Sequence, residues 1–335
     1  MKFTHSFIPW VLAGLLGACG GTGGSDAPPP PPPTATLTSA NMDIAAQDAV
    51  SAAFTPVMAA QMLTGAQVTD ERVLFSWAFA QMDQLPSYMA SAAIHRSLAG
   101  VSTTETFPCS LSGTLAVTIN DADNNDVVSA GDSLAIAANN CAESSGTLSG
   151  SLTFAINSLS GGPFMSNAYS AGLTLTFANF TVTGPQFSAS ANGTLSMSLD
   201  VAGQYAYTSA VSTPSLTVSG TYGNVTRTRT LASYSATTTR APNATATYQT
   251  SHSVSGSLSS TALGSQTIAF STPAAFVTLG ADNYPSWGEV LITGAQGAKL
   301  RVKAISNTQV TEELDADGNG AYEVGPITVA WSTLI

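Results

Sequence analysis

Beyond residue 101 the chain settles into short runs in which every second residue is apolar, and this two-residue period constrains the fold more than any other feature. In "TLAVTIN" the residues Leu115, Val117 and Ile119 share one side. "SLTFAI" repeats the pattern with Leu152, Phe154 and Ile156, "LTLTF" with Leu173, Leu175 and Phe177, and "TLSMSLDV" with Leu195, Met197, Leu199 and Val201. It returns in "QTIAF", "KLRVKA" and "ITVAW". Successive side chains of a β-strand point to opposite faces, so each run has one dry face and one face set with Ser and Thr. Many such runs, parted by Gly, Asn or Pro, predict a mainly β fold: an antiparallel sandwich, or an open or half barrel, over residues 101–335.

A loose motif, [Ser/Asn]-Gly-[Thr/Ser]-Leu, recurs at Ser112, Ser149, Asn192 and Ser255. Its spacings of 37, 43 and 63 residues are too irregular for a solenoid or a propeller. The motif reads as the chemistry of strand starts, with Gly making the bend. The expected strands are too short, and the aromatics too scattered, for a membrane-spanning barrel, which needs ~10-residue strands with an apolar outer band.

Residues 35–100 have a different texture and read as a short α-helical segment. Asn41 precedes "MDIAAQDAVSAAF" as a candidate cap, and Pro56 is expected to end that helix. A second helix is expected from about Thr69, with Asp70 and Glu71 in its first turn, ending at Pro86, and a third short one to about Arg96. Trp77 and the methionines of this segment read as core.

The chain opens "MKFTHSFIPWVLAGLLGAC", with one cation, Lys2, an apolar run from Phe7 to Leu16, and small residues after it. That is the order of a secretory signal, and the run is too short to span a bilayer. Leu16-Gly17-Ala18-Cys19 resembles the lipobox of bacterial lipoproteins. The resemblance implies cleavage after residue 18, lipidation of Cys19 with palmitate-type acyl chains, and, with Gly20 next, anchoring in the outer membrane of a Gram-negative cell. Residues 19–34, with six consecutive prolines, form a tether that includes a polyproline rod of roughly 19 Å. The membrane is then a partner through the lipid alone, and the side of the outer membrane that the domain faces is open.

With Cys19 assigned to lipid, Cys109 and Cys141 make a pair in an oxidising compartment, where a disulfide is expected. Cys109 shares the odd register of Leu115, Val117 and Ile119, but Leu134 and Ile136 are even and Cys141 is odd, so a bulge or a diagonal bridge has to absorb one residue. Loss of Lys2 with the signal takes the formal net charge from −11 to −12. So acidic a chain has no electrostatic footprint for nucleic acid. Its one basic run, "TRTRT" with Arg227 and Arg229, reads as a solvated strand face.

Although only 9% of residues are charged, nine of the 20 acids fall in two twelve-residue stretches, "DADNNDVVSAGD" and "EELDADGNGAYE". Counted from Asp121, the residues Asp123, Asn125, Val127 and Asp132 fall at positions 3, 5, 7 and 12. This is the oxygen spacing of an EF-hand loop, in which position 7 ligates through its carbonyl. The stretch resembles the dockerin variant of that loop, although Asp126 stands where Gly is usual and the flanks read as strands. Asp315, Asp317 and Asn319, with Gly320 and Glu323 following, resemble the Asp-x-Asp-x-Asn-Gly calcium turns of extracellular proteins. Crowded carboxylates repel unless neutralised, so structural calcium is the expected cofactor. The alternative is that Asp, Asn and Gly simply favour long turns.

No nucleophile elbow, zinc-protease, Cys-x-x-Cys or phosphate-loop pattern occurs, and only His95 and His252 follow the signal. The sequence therefore points to a non-catalytic cell-envelope lipoprotein with a structural, adhesive or binding role toward an envelope protein or glycan. A carrier of lipid or another hydrophobic ligand in a half-barrel is the alternative, and a secreted hydrolase the third reading. Tyr284 and Trp287, in "DNYPSWGEV", are candidate ring platforms for a ligand.

Overall fold

The computed structural model describes residues 33–61, 74–75, 77–78, 81, 84–88, 102–144, 146–222 and 224–335. The signal, Cys19, nearly all of the tether and most of the expected second and third helices lie outside these residues. The described residues of the latter, among them 74–75 and 85–88, are helical.

Fourteen strands follow one another in strict sequence order in a single antiparallel sheet, so each pairs with its chain neighbours and the ends do not pair with each other. They are β1 (Ser102–Pro108), β2 (Ser112–Asn120), β3 (Ser133–Glu143), β4 (Gly146–Ser160), β5 (Tyr169–Thr183), β6 (Phe187–Gly203) and β7 (Ala206–Tyr222). Then come β8 (Val225–Asn243), β9 (Thr247–Ser260), β10 (Gln266–Leu279), β11 (Trp287–Thr293), β12 (Lys299–Ala304), β13 (Gln309–Asp315) and β14 (Val324–Ala330). The mainly β, antiparallel, open architecture is the one the two-residue period predicts.

Strand length departs from the expectation. β4 to β10 run 14 to 19 residues, longer than the apolar runs suggested. The reason is that Gly and Asn interrupt the alternation without ending the strand. β5 buries Tyr169, Ala171, Leu173, Leu175 and Phe177, then shifts parity to bury Phe180 and Val182. The extra residue is Asn179, in the left-handed region at φ 48°, within a register shift against β6. A plain strand would have turned Phe180 to the opposite face. β3 does the same at Asn140 (φ 47°), so Cys141 rejoins the buried side and the bulge expected between the cysteines is present. β8 does it at Ser233 (φ 49°), between Leu231 and Tyr234.

The recurrent Gly motif opens β2 at Ser112, as expected of a strand start, but lies within β4, β6 and β9, where that reading is corrected. Gly150 faces the carbonyl of Asn179, Gly193 faces Ser215, and Gly256 faces the backbone of Tyr234. The register makes them one row: Ala138 pairs with Gly150, Phe177 with Gly193, Gly193 with Leu216, Leu216 with Leu231, and Leu231 with Leu258. Bulges bend strands, so a row of them bends this part of the sheet, from β3 to β9.

The inner face packs on α1 (Met42–Gln61), which buries Ala45, Ala46, Ala49, Val50 and Ala53 completely. α1 runs on through Pro56, where the sequence placed a break. Three residues before it, the Ala53 carbonyl accepts hydrogen bonds from Tyr234 Oη and His252 Nε2, both at 3.1 Å, which tie the helix to the sheet. Asn41 turns back: its Oδ1 accepts from the Thr38 N–H (2.8 Å) and its Nδ2 donates to Thr36 O (2.9 Å). Arg229 Nε meets Asp48 Oδ1 at 2.8 Å, with the Asp48 side chain fully buried. The basic run is therefore part of the helix–sheet interface and not a solvated face. Trp77 stacks on Phe180 at 5.1 Å, a core role as expected. The last tether residues join the fold, for Thr34 bridges Thr267 in parallel and Pro33 O accepts from the Thr267 N–H at 2.8 Å.

The outer face is a field of hydroxyls that bond one another across strands: Thr217 with Thr230 (3.0 Å), Ser219 with Thr228 (2.9 Å) and Thr104 with Thr118 (2.8 Å). Such pairs stabilise neighbouring strands by a few tenths to about 1 kcal/mol each.

Candidate functional sites: two acidic turns and a tyrosine pocket

Cys109 and Cys141 are joined by a disulfide, with Cα atoms 5.4 Å apart. It closes the base of the β2–β3 hairpin, whose tip is the first acidic loop. The 32-residue separation corresponds to about 3–4 kcal/mol in the chain-entropy account.

In that loop Asp121 and Asp132 are fully buried. Asp121 accepts the N–H groups of Asn125 (3.2 Å) and Asp126 (3.0 Å), while Asp132 accepts those of Ala122 (2.9 Å) and Ser129 (2.6 Å). Asp123 accepts from Asn125 Nδ2 at 2.7 Å, and Asn125 Oδ1 from the Val127 N–H at 2.8 Å. Asp126, in the usual glycine position, adopts φ 62°. The second loop repeats the design. Buried Asp315 accepts the N–H groups of Gly318 (2.8 Å), Asn319 (3.1 Å) and Gly320 (2.9 Å), and Asn319 Oδ1 accepts that of Ala321 (2.7 Å). Glu323 closes the turn onto the Ala316 N–H at 2.9 Å.

Both loops therefore hold buried carboxylates on backbone donors. Ligand atoms of Asp121, Asp123 and Asp132, and likewise of Asp315, Asp317 and Glu323, lie within 4.8 Å of one another. The donor sets are all-oxygen and so fit a hard cation such as calcium, which would use the lone pairs that the N–H groups leave.

The candidate platforms Tyr284 and Trp287 are not brought together with either loop. Tyr284 stacks on the buried Trp331 (6.1 Å, 8° between planes), whose Nε1 donates to Pro285 O and Ser306 O at 3.1 Å each. It belongs to the core, as folded-back hairpin aromatics do. Trp287 is 45% exposed at the start of β11.

The structure presents a different aromatic site that sequence reading missed. Where the β4–β5, β6–β7 and β8–β9 connections gather, the inner face opens into a cavity of about 620 Å³. Its walls include Tyr205, Tyr207 and Tyr248, with Arg240 among them. The Arg240 guanidinium lies 4.4 Å from the Tyr248 ring centre and 5.0 Å from that of Tyr207. Tyr205 lies nearly parallel to Tyr248 (12°, 5.3 Å) and is 38% exposed at the mouth. Arg240 Nε donates to Thr250 Oγ1 at 3.2 Å, and no carboxylate among the described residues pairs with it. Tyr207 Oη is buried with no hydrogen-bond partner, and burial raises its pKa against the opposing pull of Arg240. The available signal was parity: in "YSATTTR" Arg240 shares the dry register of Tyr234, Ala236 and Thr238.

No protein-family model, no curated protein and no solved structure matches the chain.

Proposed function

We propose that this chain is a non-catalytic lipoprotein of the bacterial outer membrane, tethered through Cys19, whose β domain binds a small ligand in the cavity around Arg240. The observation that carries the reading is the Arg240 guanidinium on the cavity wall, set against the Tyr207 and Tyr248 rings with no carboxylate partner among the described residues. Pockets with a few convergent polar groups in an aromatic wall are the usual form of a ligand site.

The lipid-carrier reading is less well supported, because the inner face beneath α1 is occupied by its fully buried alanines and Val50. A hydrolase is also less well supported, since the described residues lining the cavity include no carboxylate, cysteine or histidine. Calcium is part of the proposal as a brace, held by Asp121, Asp123, Asn125, the Val127 carbonyl and Asp132 in one loop, and by Asp315, Asp317, Asn319 and Glu323 in the other.

Two measurements test this. Mass spectrometry of protein from the envelope fraction is expected to give an acylated N-terminal peptide beginning at Cys19; an unmodified Cys19 on a retained signal removes the envelope assignment. The ring resonances of Tyr205, Tyr207 and Tyr248 are expected to shift on titration with small molecules extracted from the envelope; unmoved resonances remove the site.

A further inference from the structure

We infer that the ligand of this cavity is an acidic saccharide, a sugar ring bearing a carboxylate, with Arg240 as the group that reads the acid; this rests on the binding reading above. The guanidinium has one edge left open. The Tyr207 and Tyr248 rings lie within 5.0 Å of it, and its Nε–H is committed to Thr250. What remains is the terminal edge, where two N–H groups lie side by side. That edge matches the two oxygens of a carboxylate, and such bidentate pairs are among the strongest charge-assisted hydrogen bonds. Charge balance favours a monoanion. One cation faces the cavity of a chain that carries 20 acids and nine bases, so a dianionic phosphate would bring one negative charge too many.

The rest of the wall favours a sugar over an acyl chain. Leu199, Val201 and Met165 are its aliphatic members, too few to cover a long hydrocarbon. Tyr205 offers an accessible ring edge and face at the mouth, the surface on which the C–H face of a pyranose packs. Asn167 and Gln204 add amide donors and acceptors that the hydroxyls of a sugar can meet. A volume of about 620 Å³ lies within the usual range of roughly 300–1,000 Å³ for small-molecule sites.

The test is calorimetric titration of the full chain in lipid nanodiscs with galacturonate, its methyl ester and decanoate. Galacturonate is expected to bind at least about tenfold more tightly than the ester, since truncating one member of a desolvated charge pair costs that much or more. Arg240→Gln is expected to erase the difference, and Arg240→Lys to restore part of it, with melting midpoints confirming that both variants fold. Tyr205→Ala, at the exposed mouth, is expected to weaken both saccharides. Equal binding of acid and ester, each dependent on Tyr205, overturns the acidic class and leaves the binding site standing. Preferential binding of decanoate overturns the inference in favour of an acyl carrier. Binding of no probe overturns the inference, and if the tyrosine resonances are also unmoved by envelope extract, the reading beneath it falls too.

Discussion

A side-chain carbon placed on Gly150 would run into the carbonyl of Asn179 on the neighbouring strand, in a backbone already at φ +84°. Gly264 has a similar φ of +65° with open space around it. The pair separates two costs that glycine removes. Gly264→Ala is expected to lose about 1 kcal/mol, the left-handed strain alone. Gly150→Ala adds a backbone collision that only a shift of β5 can relieve, and is expected to lose about 2–4 kcal/mol by denaturant melts. Equal losses would mean that the row of glycines does not set the bend. The same residues show what a local pattern conveys. "SGTL" and "NGTL" were visible as a recurring device, and the parity slip before Cys141 announced a bulge. Neither showed that the strand continues beyond it, because a bulge and a turn begin with the same Gly and Asn chemistry.

At the scale of elements, two devices hold α1 and the hairpins in place. Asp48 on α1 is buried against Arg229, and its second oxygen has no hydrogen-bond partner. Removing the acid takes one charge-assisted hydrogen bond from the largely buried Arg229 guanidinium, so Asp48→Ala is expected to cost about 1.5–3 kcal/mol and to loosen the helix, read as faster amide exchange across α1. An exchange pattern equal to that of the parent would show that alanine packing alone docks the helix. The acidic turns make a separate prediction. If calcium adds to the backbone donors already present, chelation is expected to lower the melting midpoint by several degrees, and Asp121→Ala with Asp315→Ala to remove that sensitivity. A midpoint indifferent to chelator removes the ion, and the loops are then self-sufficient. The position of these turns between strands was legible, since Asp, Asn and Gly crowd only there. The tyrosine pocket was not, because its residues come from separate hairpins that only the register brings together.

Across the whole molecule, two buried ionisable groups pull stability in opposite directions with pH. His252 is buried, with Nε2 on the Ala53 carbonyl and Nδ1 on Thr238, and burial lowers its pKa from 6.5 to about 4. The unfolded chain binds that proton first, so the contribution of His252 is present above pH 6.5 and is lost as pH falls toward 4. Glu312, on β13, is buried; burial first, and then the charge of the Asp43 carboxylate of α1 and a hydrogen bond with it, raise its pKa from 4.5 to about 7. Here the folded chain keeps the proton, so the contribution of Glu312 is full below pH 4.5 and is lost as pH rises through 7. Each displacement corresponds to about 3 kcal/mol, and between pH 4.5 and 6.5 the two slopes have opposite signs and nearly cancel. The parent protein is therefore expected to show almost constant unfolding free energy over that window. Glu312→Gln is expected to become steadily more stable as pH rises, by roughly 2–3 kcal/mol, because only the histidine slope is left. His252→Gln, whatever its absolute loss, is expected to become less stable over the same interval by a similar amount. Urea melts at half-unit pH steps decide it: slopes in both variants that match the parent would mean that neither proton is linked to folding, and that the helix rests on the inner face without regard to the charge buried beneath it.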